Sequence, residues 1–237
     1  MIIVIPMAGA GSRFPKSEYP NHKSLIEFNG KTLLEYSLRS LPFKKSKCVI
    51  FIVLTSQIDP QMERLISKLC GSTPFEILCL DNPTRGQAET VHLALKNVSL
   101  AEELLIHNCD TAMNVDWEIE RRSGGVIFTF ESDSDAFSYA KVDNRGYVIQ
   151  VAEKRVISEF ASSGTYWFSS VGLYEECYAR QSNNNTYSEL FVAPLYQELI
   201  NGGIDVKIQQ CEEVFPLGTP KDLEQSTCKI HTWKPQW

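Results

Sequence analysis

A strand-forming run that leads directly into a glycine-rich loop is the feature that most constrains this chain. The apolar residues 2–5 are enough for a buried strand, and Gly9 and Gly11 follow within a few positions. Such a turn exposes backbone N–H groups at the carboxyl end of a strand, where α/β proteins commonly bind polyanions. Arg13 and Lys23 add cationic side chains that reach phosphate oxygens. The stretch therefore predicts a loop that wraps a triphosphate.

The first 110 residues alternate between strand-like and helix-like patterns. Continuous apolar runs are typical of parallel strands covered on both faces, and capping residues ahead of helically spaced apolar residues predict the helices. The alternation predicts a parallel sheet with right-handed crossovers, whose cleft lies beyond the carboxyl ends of the strands. Gly9 to Arg13, Gln87 and Asp110 fall at or near that edge. Strands are predicted at 2–5, 49–54, 75–80 and 104–108, and helices at 33–41, 60–70 and 88–95.

From about residue 124 the pattern changes to closely spaced strands. The turn at 143–146 joins two short strands as in a hairpin, and a polar loop is predicted at 182–186. Strands are predicted at 126–130, 139–142, 147–151, 164–168 and 204–208, and helices at 195–200 and, briefly, after Thr219-Pro220.

Chain length and continuity indicate one α/β domain. A chain of 237 residues can form one large domain of this class or two small ones, and the sequence contains neither an internal repeat nor a low-complexity linker. We therefore predict a single domain, 1–237, with three α/β/α layers around a Rossmann-like, mostly parallel sheet. The triphosphate loop lies in its first half, 1–115, and the mixed strands of the second half, 116–237, complete the cleft.

Composition argues against several classes of protein. With 43% hydrophobic and 22% charged residues, the chain can bury a full core. Its net charge of −6 argues against a general nucleic-acid binder, although one pocket can still be basic. Neither a secretory leader nor a membrane span is expected. Seven cysteines without a C-x-x-C pair indicate free thiols in a reducing cytoplasm, and the histidines lack zinc-ligand spacing.

Short motifs along almost the whole chain resemble, in their order, those of the sugar-phosphate nucleotidylyltransferases, also called nucleoside-diphosphate-sugar pyrophosphorylases. Each motif alone has low specificity, whereas the ordered set is specific. The matching segments are Gly9-Ala10-Gly11-Ser12-Arg13-Phe14 (family G-x-G-[ST]-R-[LF]), His22-Lys23-Ser24-Leu25 (P-K-x-L), Arg85-Gly86-Gln87-Ala88 (G-x-A/Q), Asp110 after a strand, Glu153-Lys154-Arg155 (E-K-P), Ser163-Gly164-Thr165-Tyr166 (A-G-x-Y) and Leu217-Gly218-Thr219-Pro220-Lys221-Asp222-Leu223 (D-x-G-T-P-x-D-L).

The resemblance implies a nucleotidyltransferase with a GT-A or Rossmann-like fold. In the family reaction, an oxygen of a phosphorylated acceptor attacks the α-phosphorus of a nucleoside triphosphate, and pyrophosphate leaves. The acceptor is most often a sugar 1-phosphate, and small members serve surface-polysaccharide pathways. The implied cofactor is Mg²⁺. The implied partners are a nucleoside triphosphate and a phosphorylated acceptor in the cytoplasm, without nucleic acid or membrane and with room for a homo-oligomer.

The resemblance also implies a role for each matching residue. The backbone that would hold the base, ribose and phosphates is Ala8, Gly9, Ala10, Gly11 and Ser12, and Gln87 would read the base edge. The catalytic residues would be Arg13 on the leaving pyrophosphate, Lys23 between the α-phosphate and the acceptor, and Lys154 on the acceptor phosphate. Asp110 would bind Mg²⁺, Gly164 would let the acceptor approach the backbone, and Glu189 would lie near the acceptor.

The chain departs from the family pattern at three places. His22 and Arg155 replace prolines, which the family motifs tolerate. Leu217 lies where many members carry a second metal-ligating aspartate, just before Gly-Thr. Either Asp110 binds the ion together with phosphates and water, or a carboxylate such as Glu212 or Glu213 substitutes.

Other interpretations stay open at this point. Gln87 and Glu189 are also ordinary residues for the start of a helix, Asp110 could cap a turn, and Lys154 could be an exposed charge at a strand end. A nucleotide-sugar glycosyltransferase would need a D-x-D motif, which occurs only in a polar run, at 133–135. A nicotinamide-binding protein is disfavoured because Phe14 replaces the third glycine of G-x-G-x-x-G. A non-catalytic nucleotide-binding module remains, and the triphosphate, the acceptor and the oligomeric state are not specified.

Overall fold

A mixed sheet with helices on both faces forms the body of the protein. The computed structural model describes residues 1–9, 11–184 and 186–235. The strands in these residues are β1 (Ile2–Pro6), β2 (Glu27–Phe28), β3 (Lys31–Thr32), β4 (Cys48–Leu54), β5 (Phe75–Leu80), β6 (Leu104–His107), β7 (Thr111–Asn114), β8 (Gly125–Glu131), β9 (Tyr139–Val142), β10 (Val148–Ala152), β11 (Phe160–Phe168), β12 (Val206–Gln210) and β13 (Glu213–Pro216). The helices are α1 (Leu33–Leu38), α2 (Pro60–Cys70), α3 (Gln87–Ala94), α4 (Val171–Asn184), α5 (Leu195–Asn201) and α6 (Pro220–Ile230).

The main sheet has the order β10-β9-β11-β6-β1-β4-β5, and β8 pairs with both β11 and β12. Strands β6, β1, β4 and β5 are parallel, which confirms the parallel sheet predicted for the first half. Strand β11 then runs antiparallel to both β6 and β8, and β9 pairs with β10 as the predicted hairpin. The mixed second half is therefore also confirmed.

Side-chain alternation along β1 explains the three layers. Ile2 and Val4 pack in the cluster that contains residues of α3, α4 and α5. Ile3 and Ile5 point to the other face and pack with residues of α1 and α2. Successive side chains of a strand point to opposite faces, so a strand of consecutive apolar residues must be covered on both. The predicted α/β/α arrangement is confirmed.

Three helices begin where their sequence signals predict. The hydroxyl of Thr32 accepts a hydrogen bond from the Glu35 amide at 3.1 Å, and the Asp59 carboxylate accepts from the Gln61 amide at 2.6 Å. Thr219 caps α6 in the same way. These caps satisfy N–H groups that have no partner inside the helix. Helix α6 is longer than the short helix expected here.

Helix α4 corrects the sequence-based prediction. No helix was expected between the strand at 164–168 and the polar loop at 182–186, and positions 182–184 of that predicted loop belong to α4; Asn185 lies outside the described residues. The buried positions of α4 are Val171, Tyr174, Cys177, Tyr178 and Gln181. Their spacing is helical, but tyrosine, cysteine and glutamine gave too weak an apolar signal.

A two-stranded ribbon of β7 and β13 was also not predicted. Its antiparallel register places Thr111 opposite Pro216 and Asn114 opposite Glu213. The ribbon thereby brings the segment before α6 beside Asp110, whose carbonyl accepts a hydrogen bond from the Leu217 amide at 2.8 Å. An apolar cluster that includes Leu217 underlies this edge.

Candidate active site

Two cations and one carboxylate meet at the carboxyl end of the parallel strands. Asp110 follows β6, and its Oδ2 lies 2.7 Å from Lys23 Nζ and 3.8 Å from Arg13 Nη2. Lys23 begins a single 3₁₀ turn that His22 caps through its ring. The structure thus brings together three residues that are distant in the sequence.

Burial makes the Lys23–Asp110 pair interdependent. The Asp110 side chain is 9% exposed and that of Lys23 is 14% exposed. Burial is the largest effect and opposes both charges, but the charge and hydrogen bond of Lys23, together with the charges of Arg13 and His107, lower the pKa of Asp110. Burial likewise opposes the charge of Lys23, yet Asp110 raises the pKa of that amine. Both groups are therefore ionised at neutral pH.

The glycine loop lies against Lys23. Gly11 has φ +64°, and a Cβ at this position would lie 3.5 Å from the Lys23 Cβ. The carbonyl of Gly9 accepts a hydrogen bond from Gln57 Nε2 at 3.1 Å. Ala8 is buried, whereas Gly9 and Ser12 are exposed. Ala10, expected to be part of the same nucleotide-binding loop, lies outside the described residues.

Gln87 is the first residue of α3 and points toward the end of β6. Its Nε2 donates a hydrogen bond to Asn108 Oδ1 at 2.6 Å. The preceding residue, Gly86, is in close contact with Leu190, because a Cβ on Gly86 would lie 2.5 Å from the Leu190 nitrogen. Leu190 in turn donates to the carbonyl of Arg85 at 2.9 Å. The chain ahead of α5 is therefore held against the start of α3.

Gly164 in β11 is covered by the side chain of Asn108. It has φ +78°, and a Cβ there would lie 2.1 Å from Asn108 Nδ2. The space above this glycine, expected to admit the acceptor, is thus partly filled by an amide of the protein itself.

Lys154 and Glu189 belong to a second group of residues, around Glu153. Lys154 adopts φ +50°, and its Nζ lies 4.8 Å from the centroid of the Phe191 ring. The adjacent Glu153 accepts a hydrogen bond from Ser138, and burial together with the nearby charge of Glu189 raises its pKa. Glu189 lies ahead of α5 rather than at its first turn.

The ribbon places the two glutamates considered as a second metal ligand away from Asp110. Glu213 lies opposite Asn114 and accepts a hydrogen bond from its side chain at 2.8 Å. At about 3.3 Å per residue, the four positions from Asp110 to Asn114 span roughly 13 Å. The Glu212 amide also bonds to the Asn114 carbonyl, so neither glutamate is placed to substitute. The side chain of Leu217 is fully buried in an apolar cluster.

Sequence patterns did not identify Asn108 or His107, and they included Gly86 in a motif without giving it a role. His107 is fully buried, with Nε2 donating to the Thr111 carbonyl at 3.1 Å and Nδ1 accepting from the Thr165 hydroxyl at 2.7 Å. Burial lowers the pKa of His107 to about 4, so the ring is neutral and joins β6 to β11. The sequence signal that could have identified His107 and Asn108 is their position, as two polar residues at the end of an apolar strand.

Comparisons with known proteins agree with this arrangement. A family model of the MobA-like NTP transferase domain matches residues 3–162. The solved structure of the nucleoside-diphosphate-sugar pyrophosphorylase from Vibrio cholerae RC9 is 34% identical, with a TM-score of 0.86 over 96% of this chain and 100% of that one. A comparison with curated proteins gives no match.

Two more distant structures share the fold. A protein from Bacillus anthracis described as a glucose-1-phosphate thymidylyltransferase is 16% identical, with a TM-score of 0.81 over 99% of this chain and 97% of that one. The inositol-1-phosphate CTP transferase from T. maritima is 15% identical, with a TM-score of 0.73 over 98% of this chain and 96% of that one.

Proposed function

Because this chain belongs to the MobA-like NTP transferase family and is a nucleotidyltransferase, we propose that it joins a nucleoside triphosphate to a sugar 1-phosphate. The products would be a nucleotide sugar, for use in surface-polysaccharide synthesis, and pyrophosphate. The observation that carries the proposal is the meeting of Arg13, Lys23 and Asp110 beside the glycine loop. The similarity to a nucleoside-diphosphate-sugar pyrophosphorylase along the whole chain supports it.

Charge neutralisation and alignment account for the chemistry. An acceptor phosphate oxygen forms a bond to the α-phosphorus, and the bond to the β-phosphate bridging oxygen breaks, so that pyrophosphate carries away the electron pair. The attacking oxygen is already ionised, so no general base is required. Arg13, whose side chain is 63% exposed, would bind the leaving pyrophosphate. Lys23 would hold the α-phosphate and the acceptor, and Lys154 would hold the acceptor phosphate.

The donor set fits Mg²⁺ as a cofactor that is bound together with substrate. Asp110 supplies one carboxylate, and the described residues contain no group of three His, Cys, Asp or Glu side chains that could hold an ion. Mg²⁺ is commonly bound by one or two carboxylates together with substrate phosphates and water. When bound, the ion would neutralise charge on the phosphates.

The two halves of the domain would divide the substrates between them. Residues 1–115 contain the glycine loop, Gln87 and Asp110, and would bind the nucleotide. Residues 116–237 contain Gly164 and the Lys154 group, and would bind the acceptor. None of the helices in the described residues is both long and apolar enough to cross a membrane. We place the reaction in the cytoplasm, where both substrates are available, with a homo-oligomer as one permitted state.

Pyrophosphate release tests the proposal directly. Four nucleoside triphosphates are combined with a panel of sugar 1-phosphates and other phosphorylated acceptors, and we expect release only when both substrates and Mg²⁺ are present. Lys23→Met should abolish release, whereas Lys44→Met, at an exposed position, should not change it. Cleavage of a nucleotide sugar without pyrophosphate chemistry would instead indicate a glycosyltransferase. Nucleotide binding without turnover would indicate a binding module.

A further inference from the structure

Asn108 lies at the point where the two proposed substrate sites meet. Its backbone is held on both sides, because its amide donates to the Gly164 carbonyl at 3.2 Å and its carbonyl accepts from the Ser37 hydroxyl at 2.9 Å. It directly follows β6 and precedes Asp110 by two residues. The residue is therefore fixed to the acceptor strand β11 as well as to the strand that carries Asp110.

The oxygen of the Asn108 side-chain amide is hydrogen-bonded, whereas its nitrogen is available to a ligand. Oδ1 accepts the hydrogen bond from Gln87 at 2.6 Å, so this half of the amide is engaged on the side of the proposed nucleotide site. Nδ2 rests on Gly164, at 2.1 Å from the site that a Cβ would occupy. Within the described parts of the chain, Nδ2 donates no hydrogen bond, and the residue is only half-buried. A donor oriented in this way and open to the cleft suits an oxygen of a bound molecule.

The geometry points to Asn108 as a substrate-contacting residue that determines specificity. Nδ2 donates a hydrogen bond to an oxygen of the sugar 1-phosphate acceptor, and Oδ1 holds Gln87 in place for the nucleotide. This inference rests on the proposed function. It also explains why position 164 is a glycine, because any side chain there would displace the amide of Asn108.

Two leucine variants separate the two contacts. Asn108→Leu keeps a similar shape but removes both the donor and the acceptor, whereas Gln87→Leu removes only the nucleotide-side bond. We expect Asn108→Leu to raise the KM for the acceptor about tenfold, the loss expected for one hydrogen bond, and to raise the KM for the triphosphate as well. Gln87→Leu should raise the KM for the triphosphate and leave the KM for the acceptor within about twofold.

A third variant and a substrate series complete the test. Asn108→Asp keeps the acceptor for Gln87 but loses the donor, so its KM defect should be concentrated on the acceptor. A series of singly deoxygenated analogues of the best sugar 1-phosphate distinguishes the oxygen involved. If one analogue alone removes the difference between wild type and Asn108→Leu, the bond goes to that hydroxyl. If none does, it goes to the phosphate.

The inference and the proposed function fail in different ways. If the wild-type protein releases no pyrophosphate with any sugar 1-phosphate, the proposed function is wrong. If the wild-type protein is active but Asn108→Leu leaves the KM for the acceptor unchanged, the inference alone is overturned. It is also overturned if Gln87→Leu reproduces the acceptor defect, because the effect of Asn108 would then be indirect. Asn108→Ser replaces the leucine variant if that variant melts at a much lower temperature.

Discussion

Replacing Lys23 by methionine should destabilise the protein far more than replacing Arg13, although both cations contact the same oxygen of Asp110. The Lys23 ammonium is 2.7 Å from that oxygen and its side chain is 14% exposed. The Arg13 guanidinium is 3.8 Å away and its side chain is 63% exposed. Methionine keeps an unbranched apolar side chain and removes the cationic group, with its charge and, at Lys23, its hydrogen bond to Asp110. The two variants therefore compare a buried ion pair with an exposed one at a single carboxylate.

The expected magnitudes follow from burial. At 2.7 Å, an effective dielectric constant near 20 gives an attraction of about 6 kcal/mol, part of which offsets the desolvation of both groups. Removing one partner of a buried pair typically costs about 3–5 kcal/mol, and the remaining Arg13 favours the lower end. Exposed pairs contribute about 0–1 kcal/mol. For a protein of this size, Lys23→Met should lower the Tm by roughly 6–12 °C and Arg13→Met by less than about 4 °C.

Urea unfolding and thermal melts at two pH values measure the difference. In Lys23→Met, burial raises the pKa of Asp110, so the carboxyl takes up a proton as the pH falls and the cost of burying its charge disappears. The stability deficit relative to wild type should therefore be larger at pH 8 than at pH 5. Equal Tm values for the Lys23 and Arg13 variants would refute the assignment of a buried pair, and so would a deficit that is independent of pH.

Three further predictions concern other parts of the fold and site. Gly86→Ala should lower the free energy of unfolding in urea by about 3 kcal/mol, because the new Cβ would lie 2.5 Å from the Leu190 backbone. Gly203→Ala, where φ is +73° and the space is open, should lower it by only about 1 kcal/mol. Equal losses in the two variants would contradict the predicted clash. The folded protein holds His107 neutral with a pKa of about 4, below the usual 6.5. Unfolding therefore takes up a proton, and the free energy of unfolding should fall by about 1 kcal/mol per pH unit as the pH falls from 6.5 toward 4. His107→Asn should flatten this slope. An unchanged slope in that variant would exclude His107 as its source. Chelation of Mg²⁺ should stop pyrophosphate release, and Asp110→Asn should raise the Mg²⁺ concentration required by more than about tenfold; full turnover in Asp110→Ala at low Mg²⁺ would eliminate Asp110 as the metal ligand.

The parallel half of the sheet was predictable because its information is local. Strand β4 is a run of consecutive apolar residues, and β5 is apolar except for Glu76. Helix α2 carries its own cap, first-turn proline and terminal glycine. The ribbon of β7 and β13 depends instead on pairing between short segments that are far apart in the sequence. Neither segment has enough apolar alternation to mark it as a strand, so this part required the structure.

The candidate site divides in the same way. Arg13, Lys23 and Asp110 could be selected because each occupies a recognisable position in a loop or at a strand end, and the structure brings them together. The contacts of Asn108 with Gln87 and Gly164 exist only after β6, β11 and α3 have packed. Residue patterns identify groups that carry charge, whereas packing determines which neutral groups come into contact.

The pairing of β13 with β7 also sets the order in which the site can be assembled. A chain leaving the ribosome already carries the glycine loop, Lys23 and Asp110 well before residues 213–217 have been made. Only when that later segment emerges can the Leu217 amide bond to the Asp110 carbonyl and Gly218 close against the carboxylate, where a Cβ would lie 3.1 Å from Oδ2. The contacts around Asp110 are thus completed only after residues 213–218 have been synthesised, and the earlier-made glycine loop and Lys23 must wait for them.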